Sequence, residues 1–325
     1  MEKPKVSVIV LNYNGKKYLK GCFESLKKTT YPNFEVVMVD NKSTDNSAEY
    51  VKKNFKWIRI IDAGSNMGWA VGNNIGIRNT NGKYVVLLSN DTICTPNWLS
   101  EIVNVIESDP QIGVVGSWPV EFVYMKCDLN KFPYKKIQEA STVGGAAMMV
   151  RREVFERIGY LEEKYFMYWE DTEFCYRSIL AGYKVKLNYD SIVYHLVGGS
   201  AKRESAKRWK YEMTKNRLHM HIKLMSSLYL SGFIFFEIGK LFLNLLKLPF
   251  CIIANEENFA DAVISAWVWN IRNLKNTLHE RSTIRNKLGH KYDNRLIYLS
   301  LKTSFLGIKY SIIMKLIKKY NDNLL

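Results

Sequence analysis

The feature that most constrains the fold is a regular alternation of short apolar runs and helix-like segments over residues 1–116. The runs are five or six residues long and rich in Val, Ile and Leu, as expected for buried strands; they cover 6–11, 34–39, 57–61, 83–88 and 112–116. Apolar residues at helical spacing fill the segments between them. This order predicts βαβ units, and therefore an α/β fold with a mostly parallel central sheet and helices on both faces.

Beyond these units the pattern changes. Thr95 followed by Pro96 predicts a capped helix start before the strand at 112–116. An irregular insertion is then predicted over 118–141. Further strands are predicted at 143–150, 183–187 and 191–194, with a helix at 152–158. The C-terminal third predicts helices alone, so we expect two units, 1–220 and 221–325.

The charges are distributed unevenly along the 325 residues. The whole chain has a net charge of +16, but residues 1–200 hold 25 basic and 22 acidic side chains, whereas residues 201–325 hold 22 and 9. This excess in the C-terminal third predicts an anionic partner, either nucleic acid or anionic lipid headgroups. A hydrophobic content of 47% excludes a disordered, collagen-like or disulfide-stapled chain.

The C-terminal helices combine apolar and basic residues in a way that favours lipid over nucleic acid. Between 228 and 254 the polar residues form one narrow stripe, made of Glu237, Lys240, Asn244 and Lys247. Arg295, Lys302 and Lys309 recur every seven residues among apolar and aromatic ones. We therefore expect helices lying in a membrane interface. Pairing of protomers through these helices is the alternative.

Two features of the sequence bear on location. The five cysteines are far apart and form no C-x-x-C pair, which predicts free thiols in a reducing compartment. We expect no signal peptide at Met1–Lys5 and no simple spanning helix, because no run reaches 18 apolar residues. The predicted location is the cytoplasm, with the protein peripheral on the cytoplasmic face of the membrane.

Polar residues stand where the predicted strands end, which is where ligands bind in open α/β sheets. Asp40 ends the second strand, where a carboxylate suits the ring N–H of a nucleotide base; a helix-capping Asp is the alternative. Asn90 and Asp91 end the fourth strand. A carboxylate there suits a divalent cation bound to a diphosphate, although Asn-Asp is also a common turn.

Two later segments carry further candidate residues. Glu170 and Asp171 follow a largely aromatic stretch, whose apolar rings would raise the pKa of a carboxyl group and favour its use as a general base. The alternative is that they are acidic residues at a helix N-terminus, and the two interpretations are compatible. His195 follows a strand, where it is either a ligand or a surface residue. The segment 198–203 predicts a flexible basic loop that closes over an anionic group. Neither a P-loop nor a dinucleotide fingerprint occurs.

The ordered set of motifs resembles the family 2 glycosyltransferases, which are inverting enzymes with the GT-A fold. The resemblance covers about residues 5–220 and is closest to the rhamnosyltransferase and galactofuranosyltransferase branch. It depends on VSVIVLNYN (6–14), MVDNKSTD (38–45), SNMGWAVGNN (65–74), LLSNDT (87–92), GGAAMMVRR (144–152), WEDTEFCYR (169–177) and YHLVGGS (194–200).

The resemblance implies a role for each matching residue. Asp171 falls on the general base. Asp91 and His195 fall on the metal site, although Ser89 replaces the first aspartate of the family's D-x-D motif. The nucleotide side would be formed by Leu11, Tyr13, Asp40, Asn66, Gly68 and Asn90, and the acceptor side by Gly145, Trp169 and Glu170.

The implied activity is an inverting, metal-dependent transfer using Mn²⁺ or Mg²⁺. The donor would be a UDP- or dTDP-linked sugar, and the acceptor a glycan or polyprenol-linked glycan of cell-surface polysaccharide assembly. Three alternatives are open: a non-catalytic nucleic-acid-binding protein, a sugar nucleotidyltransferase, and a catalytically inactive interaction module. Apolar surroundings of the basic residues disfavour the first, and a single glycine after the first strand disfavours the second.

Overall fold

The computed structural model describes residues 3–122, 125, 136–196, 206–254, 259–289 and 291–300. Strands β1 to β9 in this part of the chain are Val6–Asn12, Phe34–Asp40, Arg59–Asp62, Tyr84–Ser89, Thr92–Cys94, Ile112–Glu121, Ile137–Glu139, Ala147–Arg151 and Lys184–His195. Helices α1 to α10 are Lys16–Lys27, Ser47–Asn54, Gly68–Arg78, Trp98–Glu107, Arg152–Ile158, Glu170–Leu180, Ala206–Leu224, Ser227–Ala254, Ala260–Arg272 and Leu274–Leu288. Residues 293–300 are also helical.

The strands form one mixed sheet in the order β3-β2-β1-β4-β8-β6-β9-β5, with β7 paired to β9. The first four strands of this order run parallel, as the βαβ pattern predicts. Strand β8 then inserts antiparallel between β4 and β6, and β5 and β7 run antiparallel to β9. The predicted α/β fold is confirmed, and its second half is more mixed than the sequence pattern indicates.

The sheet is buried on both faces because successive side chains of a strand point in opposite directions. In β1, Val6, Val8 and Val10 pack with α1, α2 and α4 on one face. Ile9 packs on the other face with α3, α5 and α6. This double burial explains why the strands are continuous apolar runs.

Two predicted element starts are wrong. The helix expected at Thr95 and Pro96 begins at Trp98, because Thr92–Cys94 pairs with β9 and the Thr95 hydroxyl donates to the carbonyl of Ile192 (2.9 Å). The strand expected from residue 143 begins only at Ala147, and the residues before it form a turn. In both cases a hydrogen bond to a distant segment decides the local structure.

The predicted irregular insertion at 118–141 is partly ordered as strand. Strand β6 continues to Glu121, and residues 137–139 form β7, while the predicted strands at 183–187 and 191–194 form one strand, β9. The pairing of β9 with β6 shifts in register between residues 188 and 192, which is where the sequence predicts a break between two strands. The basic segment 198–203 lies outside the described residues.

The C-terminal region is helical where it is described, and two of its predicted polar and basic residues pair with other elements. Glu237 of the polar stripe is 3% exposed and forms an ion pair with Arg217 of α7. Arg295 also turns inward, donating to Glu139 of β7 (2.6 Å). The other stripe side chains, and residues 302 and 309, lie outside the described part. Among the described helices, none combines the length and apolar character needed to cross a membrane.

A buried ionic network joins α6 to its neighbours. The Arg177 guanidinium donates to both carboxylate oxygens of Glu173 (2.7 Å each), and Lys223 of α7 also pairs with Glu173 (2.9 Å). Arg177 donates further to the carbonyls of Ile158 and Tyr160. Burial alone would raise the pKa of Glu173, but the charges of Arg177 and Lys223 lower it to about 2.

We predict that Glu173→Gln lowers the free energy of unfolding by about 3–5 kcal/mol, because it leaves the buried guanidinium of Arg177 without its paired carboxylate and removes one of the carboxylates around Lys223. Urea unfolding measures this loss. Glu107→Gln is the matched control, since its pair with Lys83 is solvent-exposed and should contribute less than about 1 kcal/mol. Equal losses in the two variants would contradict the importance of the buried network.

Candidate active site

The ends of β1, β2 and β4 bring three polar side chains into one hydrogen-bonded chain. Asn12 lies opposite Asp40 in the parallel register, and β4 ends beside them. Asn90 donates through Nδ2 to Asn12 Oδ1 (2.7 Å), and Asn12 donates through Nδ2 to Asp40 Oδ1 (3.1 Å). All three residues are buried. The amide of Asn90 therefore links β4 to β1, and its predicted nucleotide contact stays a prediction.

Asp40 stabilises the turn that follows its strand. Its carboxylate accepts hydrogen bonds from the hydroxyl and the backbone N–H of Ser43 (3.1 Å for the latter). Asp40 therefore accepts hydrogen bonds as a capping residue does, but it caps the turn at Ser43 and not a helix, because α2 begins later, at Ser47. Tyr13 is exposed just past β1, while Leu11 is partly buried against the helix-α3 face of the sheet.

The predicted nucleotide-side loop is held by Asn41, a residue that the sequence marks only as a strand-end amide. Asn41 Nδ2 donates to the carbonyl of Gly68 (3.0 Å), and Asn66 Oδ1 accepts from Gly68 N (3.2 Å). Gly68 has φ +84°, and a Cβ there would lie 2.2 Å from the carbonyl oxygen of Phe166. Only glycine fits this position.

Asp91 and His195, the two predicted metal ligands, lie close together, and their binding of a metal stays a prediction. The pairing of β5 with β9 places His195 Nε2 3.2 Å from Asp91 Oδ1. This carboxylate oxygen is buried and has no hydrogen-bond partner among the described residues. A buried oxygen without a hydrogen-bond partner beside an imidazole nitrogen offers two donors to a divalent cation such as Mn²⁺ or Mg²⁺, of which the carboxylate oxygen is the kind these cations prefer. Within the described ranges, no three or more His, Cys, Asp or Glu side chains lie close enough together to bind one metal ion.

Asp171 is oriented by the backbone around it. It is the second residue of α6, and its carboxylate accepts from Gly145 N (2.8 Å), Thr172 N (2.6 Å) and the Thr172 hydroxyl (3.2 Å). Burial raises the pKa of Asp171 above its usual value, and the hydrogen bonds from Gly145 and Thr172 oppose that rise. A carboxylate with a raised pKa is a better proton acceptor near neutral pH.

Gly145, Trp169 and Glu170, the predicted acceptor-side residues, surround Asp171. A Cβ at Gly145 would lie 2.6 Å from the ring of Trp69, so a larger residue would displace the backbone donor of Asp171. Burial and the charge of Asp171 raise the pKa of Glu170 well above its usual value. Buried Trp169 Nε1 and Glu170 Oε2 have no hydrogen-bond partner in the described part of the chain, and could bind substrate hydroxyls.

The two halves of the site adjoin through the backbone. Ser89 N donates to the carbonyl of Ala146 (3.0 Å), which places the turn that binds Asp171 beside the loop that leads to Asp91. Ser43, Trp69 and Thr172, which contact the candidate residues Asp40, Gly145 and Asp171, were not identified from the sequence. The only signals were their positions inside the motifs at 38–45, 65–74 and 169–177.

Comparison with known proteins agrees with this geometry. The family model described as glycosyl transferase family group 2 matches residues 84–271, and the one described as glycosyl transferase family 2 matches residues 7–159. The chain belongs to glycosyltransferase family 2. The names of the relatives described below do not specify a rhamnosyl or galactofuranosyl branch, which stays a prediction.

Curated relatives are similar at modest identity. An uncharacterized glycosyltransferase of Haemophilus influenzae is 28% identical over 257 residues, which are 69% of this chain and 78% of the relative. The low-salt glycan biosynthesis hexosyltransferase Agl10 of Haloferax volcanii is 28% identical over 193 residues, which are 53% of this chain. The match spans 61% of the length of that relative.

Solved structures share the fold of this glycosyltransferase. The mannosyltransferase PcManGT from Pyrobaculum calidifontis, in complex with GDP-Man and Mn²⁺, superposes with a TM-score of 0.58 at 16% identity, over 89% of this chain and 87% of that one. Staphylococcus aureus TarS 1–349 in complex with UDP gives 0.53 at 18% identity, over 92% and 88%. These likenesses confirm the GT-A-like α/β fold.

We predict that Thr172→Val raises the pKa of Asp171 further, because it removes a hydroxyl that donates to the ionised carboxylate and so stabilises it. Titration of ¹³C-labelled aspartate carboxyls by NMR measures the change. In Thr80→Val, whose hydroxyl donates to helix carbonyls of α3, the Asp171 titration should stay as in the wild type. An unmoved titration in Thr172→Val contradicts the assigned contact.

Proposed function

We propose that this glycosyltransferase transfers a sugar with inversion from a nucleoside-diphosphate sugar to a hydroxyl of a glycan or polyprenol-linked glycan, in cell-surface polysaccharide assembly. The observation that carries the proposal is the joining of a base-like carboxylate, Asp171, to a cation-binding pair, Asp91 and His195, by adjacent backbone loops. Inverting transfer needs one base on the acceptor side and charge neutralisation on the donor side.

In the proposed reaction, Asp171 accepts the proton of the acceptor hydroxyl, and the oxygen of that hydroxyl attacks the anomeric carbon. The bond from that carbon to the diphosphate oxygen breaks, and the diphosphate leaves from the opposite face. Gly145 and Thr172 hold the carboxylate in position through the attack. Asp91 and His195 would bind a divalent cation, Mn²⁺ or Mg²⁺, which supplies positive charge for the departing diphosphate.

The donor nucleotide would bind along the ends of β1 and β2. Tyr13 offers an exposed ring at the end of β1, Asp40 a buried carboxylate at the end of β2, and the loop from Asn66 to Gly68 a preformed backbone edge. We propose UDP or dTDP as the nucleotide. The GDP-Man complex of PcManGT and the UDP complex of TarS make guanosine and uridine donors necessary members of a screen.

We predict that Asp171→Asn retains donor binding and lowers transfer by about 10²–10⁴-fold, the range for loss of a general base. A thermal-shift screen of UDP-, dTDP- and GDP-sugars with Mn²⁺ or Mg²⁺ selects the donor. Turnover is then followed by nucleotide release with membrane-extracted lipid-linked glycans as acceptors. Wild-type turnover in Asp171→Asn would remove this residue from the base role.

Two further aspartate variants serve as controls for that experiment. Asp91→Asn should lose the metal-dependent part of donor binding, because it removes a charged oxygen ligand. Asp190→Asn, at an exposed aspartate beside Lys136, should leave both binding and turnover unchanged. Donor binding without transfer or hydrolysis in the wild type would favour the inactive interaction module, and pyrophosphate release would favour the nucleotidyltransferase.

We propose that the C-terminal unit, residues 221–325, lies on an anionic membrane surface, at the cytoplasmic face. Helix α8 supports this with large apolar side chains directed to solvent, of which Phe235 is 81% exposed; the others are Leu228, Phe236, Ile238 and Phe242. Its carboxylate, Glu237, is directed inward instead. The net charge of +13 in residues 201–325 complements anionic headgroups, whereas two copies would repel each other.

We predict that Phe235→Ser with Phe236→Ser lowers the liposome-bound fraction about tenfold or more, since each buried Phe contributes about 1.5–3 kcal/mol. Flotation with phosphatidylserine-containing vesicles measures it. Trp57→Ser, at an exposed aromatic of the N-terminal unit, should float as the wild type does. Unchanged flotation of the double variant, with a smaller oligomer on sizing, would favour homo-oligomer contacts in place of lipid.

A further inference from the structure

The loop that precedes the proposed base has an unfavourable backbone conformation. Tyr168 and Trp169 have φ values of +75° and +73°, in the left-handed region that large side chains seldom adopt. Two such residues in succession persist only where their surroundings hold them. Something outside the loop must therefore stabilise this conformation.

Asn216 of α7 supplies that stabilisation. Its side chain is 0% exposed, and its Nδ2 donates to the carbonyl of Met167 (2.9 Å) and to the carbonyl of Tyr168 (2.9 Å). These are consecutive carbonyls at the entrance to the left-handed pair. One side-chain amide thus binds both peptide groups whose orientation decides the course of the loop.

The same loop determines where α6 begins. The carbonyl of Trp169 accepts the hydrogen bond from Glu173 N (2.8 Å), which is the first turn of the helix that carries Asp171. A rotation of the peptides at 168 and 169 would therefore move both the Trp169 ring and the Asp171 carboxylate. The ends of β1 and β2, with Tyr13 and Asp40, belong to other segments of the chain. Of the predicted nucleotide side, only the loop from Asn66 to Gly68 adjoins this segment, since Trp69 N donates to the carbonyl of Phe166 (2.7 Å).

Helix α7 is well placed to act as this support. Asn270 of α9 donates to the carbonyl of Lys215 (3.1 Å), and Lys223 pairs with the buried Glu173. His221 places its ring edge-to-face with Trp169, with centroids 6.3 Å apart, and stacks on Phe233 of α8. The helix therefore contacts the acceptor-side loop at two residues while being fixed to its neighbours.

We infer that Asn216 is a positioning residue for glycosyl transfer, which holds residues 167–169 so that Trp169 and Asp171 face the acceptor. The inference rests on the proposed function and extends its active site to a residue on α7. It separates the two substrates: loss of Asn216 should impair acceptor use and leave donor binding intact.

The test compares Asn216→Leu with Asn270→Leu. Leucine has the branched shape and the number of side-chain heavy atoms of asparagine but no donor. Asn270 is a similarly buried amide that donates to Lys215 O of α7 and to Ala266 O of α9, and not to residues 167–169, so its variant tests loosening of α7 without loss of the direct contacts to the loop. Hydrogen exchange by mass spectrometry reports the amides of 166–173 without any substrate. We expect about tenfold faster exchange there in Asn216→Leu and no selective change in Asn270→Leu.

The functional arm uses UDP with Mn²⁺ for binding, or the nucleotide selected by the donor screen. Asn216→Leu should bind the nucleotide as the wild type does. Its KM for acceptor should rise and its kcat should fall, so that kcat/KM for acceptor decreases about tenfold or more. Asn270→Leu should keep both values. Asn216→Ser is the second variant if the leucine protein does not fold.

Three results would overturn the inference. The first is unchanged exchange at 166–173, and the second is unchanged acceptor kinetics in a folded Asn216 variant. The third is loss of nucleotide binding in both Asn216→Leu and Asn216→Ser, which would make Asn216 a residue needed for folding. Failure of the proposed function looks different, since the wild type itself would then transfer no sugar. The exchange result would still decide whether Asn216 holds the loop.

Discussion

The buried carboxylate of Glu173 is the interaction on which the functional half of the molecule depends. Two buried cations, Arg177 and Lys223, contact it, and their attraction together with these hydrogen bonds offsets the cost of burying the charge. Arg177 also binds the carbonyls of the turn after α5. One charge cluster therefore fixes α6 against the sheet domain and against α7 at once.

The active site follows from that anchorage. Helix α6 presents Asp171 at its N-terminus, where backbone N–H groups orient the carboxylate. On the donor side, the amides of Asn12 and Asn90 tie neighbouring strand ends together below Asp40. Helix α7 contacts the loop before Asp171 through Asn216 and His221. The helical region that carries most of the positive charge is thus in contact with the candidate active site, and α8 adds an exposed apolar surface.

Local signals predicted most of the fold and most of the candidate residues. The strands β1, β2 and β4 were predictable because burial on both faces leaves a continuous apolar run, and their polar ends marked Asp40 and Asp91. The start at Thr95 failed because its hydroxyl bonds a residue 97 positions away. Glu237 and Arg295, predicted as members of a polar stripe and of a basic repeat, each form an ion pair with another element, which the pattern did not indicate.

The sequence by itself determined the alternation of strands and helices, the family motifs and the residue types of the site, because periodicity and motif spacing are local properties of the chain. Only the tertiary structure decided that β8 and β5 run antiparallel, that His195 reaches Asp91, and that Asn216 supports the loop before Asp171. These relations join residues far apart in the chain, and their geometry is set by packing and hydrogen bonding between elements, which no local pattern encodes.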